Sequence, residues 1–172
     1  MDVSLDSKGD VTQTDVLRDV ASLTSTATSA VESWEYRPAV VNGTPLASLV
    51  RVAFVFRPGV ILAAPPSLAP LQQEGDVTPD VVPGYIPPGI VAATYPAYPI
   101  DAASVGAVVV RVKLDAGGKV EGVTAIRSFQ PFTRPSMEAA KKWQFRPATL
   151  HGEPIASNIT IAFVYSPPIV IN

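Results

Sequence analysis

The chain has 172 residues, 47% of them hydrophobic, which indicates a folded protein rather than a disordered one. Its net charge is only −2, so it lacks the basic field that nucleic-acid binding requires. It contains no cysteine, which excludes disulfides and thiol catalysis, and no apolar run approaches the roughly 18 residues of a membrane-spanning helix.

Two segments of the chain are similar to each other. Residues 3–58 align with 112–167 without a gap when the first segment is shifted by 109 positions. The stretch WEYRPAVVNGTP (34–45) falls on WQFRPATLHGEP (143–154), and 20 of the 56 aligned positions are identical. Self-similarity of this kind indicates two units of one fold. We predict that each unit runs strand, turn, strand, helix, strand.

The first two strands of each unit are predicted to form a hairpin. Apolar and polar residues alternate along 107–114, as they do in a half-buried strand. The turn follows at Asp115–Gly118 and has its counterpart at Asp6–Gly9, where Asp accepts backbone hydrogen bonds and Gly supplies a positive φ. The second strands are expected at about 11–18 and 120–127.

A short helix is predicted to follow the hairpin. The stretch SMEAAKKWQF (136–145) is rich in helix formers. Thr133 or Arg134 is expected to cap this helix, with Pro135 in its first turn. The counterpart at 24–36 is poor in helix formers, so packing must hold that helix in place.

The last strand of each unit is its most apolar segment. These strands are predicted at 49–56 and 158–165, where β-branched and aromatic residues predominate. Trp34 and Trp143 are predicted to dominate the core of their respective units, because each is the largest apolar side chain in it.

The segment between the units has a different composition. Residues 57–100 hold ten of the eighteen prolines, which excludes a helix there. Its many apolar residues lead us to expect that part of it packs against the units, some of it as edge strand, with a solvated linker as the alternative. We therefore divide the chain into a first unit at 1–58, a Pro-rich and partly packed connector at 59–94, and a second unit at 95–172.

The first unit lacks a feature that the second unit has. The second is preceded by YPAYPIDAASVGAVVV (95–110), a lead-in followed by most of a strand, and nothing corresponds to it before Asp2. We expect either that the chain is a piece of a longer protein or that another segment replaces this strand, and we favour the first interpretation.

The motifs of the second unit resemble the C-terminal domain of TonB, the energy transducer of the Gram-negative periplasm. In chain order they are Tyr98-Pro99, Gly106-x-Val108-x-Val110, Asp115-x-x-Gly118-x-Val120, Ala139-Ala140-x-x-Trp143-x-Phe145-x-Pro147-Ala148 and Gly152-x-Pro154. The first unit matches this pattern from the hairpin onward, through Trp34-x-Tyr36-x-Pro38-Ala39 and Gly43-x-Pro45, but it lacks the Tyr-Pro lead-in. The resemblance implies an α+β fold of two TonB-like repeats, each a three-stranded antiparallel sheet with one helix on a face.

The repeat argues against catalysis. His151 is the only histidine, and its counterpart Asn42 lies in the same turn before a glycine, where both residue types are tolerated. Asp6 and Asp115 are explained by their turns. No phosphate-binding loop, carboxylate pair or nucleophile elbow is present in the sequence. We therefore predict no enzyme, no catalytic residue, no cofactor and no metal.

The resemblance implies that partner peptides bind by strand addition to the last strand. The residues that it assigns to partner binding are Tyr98, Pro99, Asn158, Ile159, Thr160, Ile161, Ala162, Phe163, Val164 and Tyr165. The alternative is that this edge is already occupied, by the strand at 49–56, by the Pro-rich segment or by a second copy.

The implied partners are a short peptide of an outer-membrane receptor and, through a missing upstream region, inner-membrane motor proteins. The implied location is the periplasm, with an inner-membrane anchor outside this chain. A homodimer is a further expectation. The alternative function is a structural or sensory pairing or dimerisation module of a larger cell-envelope protein.

Overall fold

The computed structural model describes residues 1–57, 82–99 and 104–166, and within them the chain is a mixed α+β protein with two helices and thirteen strands. The first part contains β1 (Asp2–Leu5), β2 (Val11–Asp15), α1 (Thr24–Glu32), β3 (Ala39–Val41), β4 (Thr44–Leu46) and β5 (Ser48–Arg57). The connector contains β6 (Tyr85–Ile86) and β7 (Gly89–Ala92). The last part contains β8 (Gly106–Leu114), β9 (Val120–Arg127), α2 (Thr133–Ala140), β10 (Gln144–Arg146), β11 (Ala148–Leu150), β12 (Glu153–Ile155) and β13 (Ser157–Tyr165).

One six-stranded sheet forms the centre of the fold, in the order β2-β1-β5-β13-β8-β9. Three of its strands come from each half of the chain. Strands β5 and β13 pair in parallel from Val52 opposite Thr160 to Arg57 opposite Tyr165, and every other pair is antiparallel. The two three-stranded sheets that were predicted are therefore joined. The physical reason is that joining them gives both last strands a backbone partner that a separate three-stranded sheet would lack.

The two helices lie on opposite faces of this sheet. Residues paired across neighbouring strands point to the same face, so Val55 shares a face with Phe163. Val55 and Phe163 belong to the core that contains Ala140 of α2. Val52 points to the other face, where it packs with Val31 of α1.

Two small hairpins were not predicted from the sequence. Strands β3 and β4 are joined by Asn42 and Gly43, with φ of 50° and 82°, and β11 and β12 by His151 and Gly152, with φ of 51° and 85°. Two successive residues with positive φ form the tight turn of a two-residue hairpin. The prediction that His151 and Asn42 are turn residues is thus confirmed. These strands have only three residues each, too few to give a pattern in the sequence.

The second helix is placed differently from its prediction. It begins at Thr133 and ends at Ala140, so Trp143 lies beyond it. Neither Thr133 nor Arg134 is the cap. Phe132 occupies that position, and the Thr133 hydroxyl accepts a hydrogen bond of 2.8 Å from the backbone N–H of Phe129. Because Trp143 lies outside the helix, its side chain can pack in the core.

The described part of the connector, 82–94, packs against the second half together with the lead-in residues 95–99. Strand β6 pairs with β11, and β7 pairs with β10. The Trp143 indole N–H donates a 2.9 Å hydrogen bond to the carbonyl of Thr94. The predicted connector residues up to 81 lie outside the described residues, and the predicted domain boundaries stay a prediction.

The two helices cover cores of unequal size. The core under α2 contains fifteen buried residues, with Phe132, Phe163 and Tyr165 fully enclosed. The core under α1 contains four, namely Val3, Leu5, Val31 and Val52. Trp143 is 4% exposed, whereas Trp34 is only half-buried. The prediction that a Trp dominates each core therefore applies to the second half alone.

The unequal cores give a testable difference between the two tryptophans. Trp143→Ala is expected to lower the free energy of unfolding by about 3–5 kcal/mol, because it leaves a cavity and an unpaired Thr94 carbonyl. Trp34→Ala is expected to lower it by clearly less, because that ring is only partly buried. Urea denaturation followed by circular dichroism gives both values, and equal losses would contradict the asymmetry.

A buried ion pair joins β1, β5 and the connector. Arg51 donates to both carboxylate oxygens of Asp2 at 2.7 Å each, and to the Pro88 carbonyl at 3.3 Å. The side chains of Arg51 and Asp2 are 4% and 0% exposed. Two charges are tolerated there because the bidentate geometry pairs them fully.

Breaking this pair from one side is expected to be costly. Arg51→Met leaves the Asp2 carboxylate buried without a partner and should lower the free energy of unfolding by about 3–5 kcal/mol. The double variant Asp2→Leu/Arg51→Met removes both charges and should recover most of the loss. Urea denaturation of the two variants is the measurement, and a double variant no more stable than Arg51→Met would contradict the account.

Candidate functional site: the strand edges

The strand that was predicted to capture peptides lies in the middle of the sheet. Along Thr160–Tyr165, β13 is paired with β5 on one side and with β8 on the other. Only Ser157–Ile159 lacks a partner on the β5 side among the described residues. The alternative weighed from the sequence, that the strand near 49–56 fills this edge, is the arrangement found. Whether these residues bind a partner stays a prediction.

The side chains of the predicted binding residues are mostly core residues. Ile159, Ile161, Ala162, Phe163 and Tyr165 are all at most 1% exposed. Asn158 is exposed, and Thr160 and Val164 are half-buried. Their contribution to a partner would therefore come from the backbone of β13 rather than from its side chains.

Tyr98 and Pro99 of the lead-in lie at the end of β13. The Tyr98 ring meets Phe132 edge-on at 5.5 Å between ring centres and lies 6.1 Å from Tyr165. The Tyr98 hydroxyl donates a 3.2 Å hydrogen bond to the Ser166 carbonyl. Pro99 is half-buried. Tyr98 thus closes the core at the point where β13 ends, which is a structural contact in this chain.

The outer edges of the six-stranded sheet are β2 and β9. Along β9, Glu121, Thr124 and Arg127 are exposed, and Glu121 forms a 2.8 Å ion pair with Lys113 of β8. Charged residues on an edge oppose unspecific pairing with other strands.

The hairpin aspartates act as the sequence predicts. Asp6 accepts from the backbone N–H groups of Lys8 and Asp10 at 2.7 and 3.0 Å. Asp115 accepts from those of Gly117 and Lys119 at 2.9 and 2.8 Å. The Asp10 amide, and next that of Lys8, hold the pKa of Asp6 below its usual value. Turn formation accounts for both aspartates.

The described residues were searched for metal-binding and catalytic groups of side chains. They contain no group of three or more His, Cys, Asp or Glu side chains that could hold a metal ion. A groove of about 450 Å³ runs between α2 and the lead-in, and its charged residues are Arg134, Glu138 and Lys142. These charges have mixed sign, and Glu138 is paired with Lys141 at 2.9 Å. The groove therefore assembles no catalytic constellation.

The second half combines a sheet, a helix across one face of that sheet and a Tyr-Pro lead-in, and the family that its sequence matches is one of non-catalytic protein-interaction domains. The family of the Gram-negative bacterial TonB protein C-terminal matches residues 91–167, which form one TonB C-terminal domain. Members of this family are periplasmic domains that interact with outer-membrane receptors. The match does not extend to the first half of the chain.

A comparison with curated proteins gave no match. Among residues 1–57, 82–99 and 104–166, no helix is long and apolar enough to cross a membrane.

Two residues that hold β1 against β5 were not predicted from the sequence. Asp2 and Arg51 lie 49 positions apart, and their pairing follows from the register of β1 with β5. The signal that could have indicated Arg51 is a lone charge inside the apolar stretch 49–56. An inward-facing charge in a strand needs a buried partner of opposite sign.

Two tyrosines report on the packing of the two halves. Burial raises the pKa of Tyr36 and of Tyr165 to about 12, with the Ser136 hydroxyl and then Arg57 partly opposing the rise at Tyr165. The Tyr165 hydroxyl lies 2.7 Å from that of Ser136, and the Tyr36 hydroxyl donates to the Val31 carbonyl at 2.9 Å. Both phenols are therefore held protonated where an unfolded tyrosine would ionise.

We expect stability to fall between pH 10 and 12. The folded chain keeps two phenol protons there that the unfolded chain releases, so the stabilisation present below pH 10 is lost as the pH rises to 12. Tyrosinate absorbance against pH, recorded beside circular dichroism, checks this, and Tyr165→Phe should remove one of the late transitions. Ionisation of all tyrosines near their ordinary pKa in the folded protein would contradict it.

Proposed function

We propose that the chain is a periplasmic TonB-like interaction module that binds extended partner peptides by β-strand addition. The observation that carries this proposal is the match of residues 91–167 to the TonB C-terminal family. The partners are peptide segments of outer-membrane receptors. Force reaches the module from inner-membrane motor proteins through an anchor outside this chain.

The first half is proposed to be a second TonB-like unit. Its support is the position of the elements: β3, β4 and α1 begin 109 residues before β11, β12 and α2. The registers also agree, since Val3 is opposite Val50 as Val112 is opposite Ile159.

Peptide capture by the backbone of β13 has a specific requirement in this chain. The β5 side of Thr160–Tyr165 is occupied, so a peptide must displace β5 from it. A peptide of a few residues gains only about 1 kcal/mol net per backbone hydrogen bond. Such a peptide replaces the backbone hydrogen bonds between β5 and β13 with its own. Binding at this edge is therefore weak unless the β5–β13 pairing is destabilised.

A peptide titration tests capture at β13. Synthetic peptides from the N-terminal segments of outer-membrane receptors are added while backbone amides are followed by NMR. We expect the amides of β13 and β5 to shift together. The variant Val55→Pro, which removes an N–H donor to β13, should tighten binding, and Val40→Pro in the exposed hairpin is the control that should not.

The outcomes of this titration separate the possibilities. Shifts confined to β2 or β9 would contradict the assignment to β13 while retaining peptide capture. Unchanged shifts at millimolar peptide in the wild type and in Val55→Pro would contradict peptide capture by the chain at this edge.

A second candidate function is favoured by the β5–β13 ladder itself. A module whose two last strands pair with each other serves as a structural or sensory element of a larger envelope protein. In that case peptides cause no shifts, and the two halves unfold in one transition because they share a sheet.

A further inference from the structure

The strand that lies along the edge of β13 belongs to this chain, and its side chains show what that edge accepts. Strand β5 runs parallel to β13, with Val55 opposite Phe163 and Arg57 opposite Tyr165. Alternate residues of a strand point to the same face, so Ala53, Val55 and Arg57 all point to the face that α2 covers. We call the places of these three side chains the edge subsites.

The backbone of the same three residues holds β5 against β13. A residue of a parallel strand directs its N–H and its C=O to the same neighbour. The Arg57 carbonyl accepts a 3.1 Å hydrogen bond from the N–H of Ser166, so Arg57, Val55 and Ala53 direct their backbone groups to β13. A strand that pairs with β13 in this register therefore places three alternate side chains in the edge subsites.

Two of the edge subsites are apolar. Val55 is 6% exposed and belongs to the core that contains Phe163 and Trp143, and Ala53 packs against the same core. Phe54, which lies between them in the strand, points to the other face and is only half-buried. The edge therefore selects side chains at alternate positions and is tolerant at the positions between them.

The third edge subsite holds a cation. Arg57 is 8% exposed, and its guanidinium carbon lies 5.4 Å from the centre of the Tyr95 ring. Among the described residues it forms no ion pair with a carboxylate, and its Nε has no hydrogen-bond partner. The face of an aromatic ring attracts a guanidinium, and the attraction is stronger where water is excluded. Tyr95 is therefore the group that receives the cation.

The strand itself does not require this cation. In the repeat, Phe54 and Phe56 correspond to the aromatic residues Phe163 and Tyr165, whereas Arg57 corresponds to Ser166. Burying a charge costs free energy unless a contact offsets the cost. The charge at position 57 is thus matched to the ring of Tyr95 rather than to the needs of a last strand.

Tyr95 is held in place by the second half, independently of β5. The carbonyl of the preceding residue, Thr94, accepts a 2.9 Å hydrogen bond from the Trp143 indole, and the Thr94 hydroxyl donates to the Ala139 carbonyl at 3.5 Å. The following residue, Pro96, is buried. The cation subsite is therefore built before a strand arrives at the edge.

From this geometry we infer that Tyr95 is a specificity-determining residue for peptides that bind β13. The preferred peptide runs parallel to β13 and carries a small residue, an apolar residue and an arginine at alternate positions. Its arginine stacks on Tyr95, and its apolar residue enters the core opposite Phe163. Strand β5 is the internal occupant whose pattern such a partner reproduces. The inference deepens the proposed function and rests on it, because a peptide must reach the β13 edge.

The probe is a synthetic peptide with the sequence of residues 50–57, VRVAFVFR, with blocked ends, and a second version that carries Arg57→Gln. Both are added to the full chain with Val55→Pro, in which β5 is loosened, and at millimolar concentration to the wild type. The amides of Ala162 and Val164 are followed by NMR. We expect the arginine version to bind about tenfold more tightly than the glutamine version.

Variants of Tyr95 give the matched control. Tyr95→Leu removes the ring face and should weaken the arginine version by about tenfold, to the level of the glutamine version. Tyr95→Phe keeps the ring face and should keep the preference for arginine. A change in stability or in the hold on β5 would alter the binding of both peptides equally, so the ratio of their affinities isolates the contact with the ring.

Matched N-methyl peptides test the register. Methylation at the valine that corresponds to Val55 removes an N–H that faces β13 and should weaken binding by about tenfold. Methylation one residue earlier, at the phenylalanine that corresponds to Phe54, places the methyl group on the far side and should leave binding unchanged.

Three results would overturn the inference. The first is equal binding of the arginine and glutamine peptides, the second is a preference for arginine that survives Tyr95→Leu, and the third is equal binding of both N-methyl peptides. Receptor peptides that shift Ala162 and Val164 without any preference for arginine would leave the proposed function standing alone. Unchanged shifts with every peptide, in both proteins, would overturn the inference together with the proposed function.

Discussion

The parallel ladder between β5 and β13 is the interaction on which the rest of the fold depends. It joins two three-stranded halves. In each half alone, the last strand would have a hydrogen-bonded neighbour along only one of its two edges. Parallel pairing places α1 and α2 on opposite faces, because Ala53 and Val55 must share a face with Ile161 and Phe163. The first half thereby contributes Val55 to the core of the second half.

The ladder also decides what remains available for a partner. It occupies the edge of β13, which a single TonB-like unit with three strands would leave open. Among the described residues, the other side of β5 pairs with β1 along Ser48–Arg51.

Among the described residues, a covering segment is found over the second half and not over the first. In the second half, the connector and the start of β8 enclose Phe132, Phe163 and Tyr165 completely. In the first half, Arg51 of β5 binds the Asp2 carboxylate and the Pro88 carbonyl. These hydrogen bonds fix β1 and the connector to β5. The first half is consequently held more by directed polar contacts and by its neighbour than by its own apolar core.

Local features were predictable from the sequence, and pairings between distant strands were not. The turns at Asp115, Gly118 and His151 depend on residues within a few positions of one another. The predicted helix extended beyond Ala140, where α2 ends. The prediction was wrong there because burial of Trp143 in the core stabilises the protein more than a longer helix would. The partner of β13 depends on a strand about a hundred residues away, and the apolar patterns of β5 and β8 fit that role equally well.

Amide hydrogen exchange along β13 tests the central claim most directly. The N–H of Phe163 points to β8, while those of Ala162 and Val164 point to β5. The β5–β13 ladder predicts that all three amides exchange slowly and to a similar extent in the free protein. Fast exchange of Ala162 and Val164 beside a protected Phe163 would show that β13 is a free edge and would contradict the account.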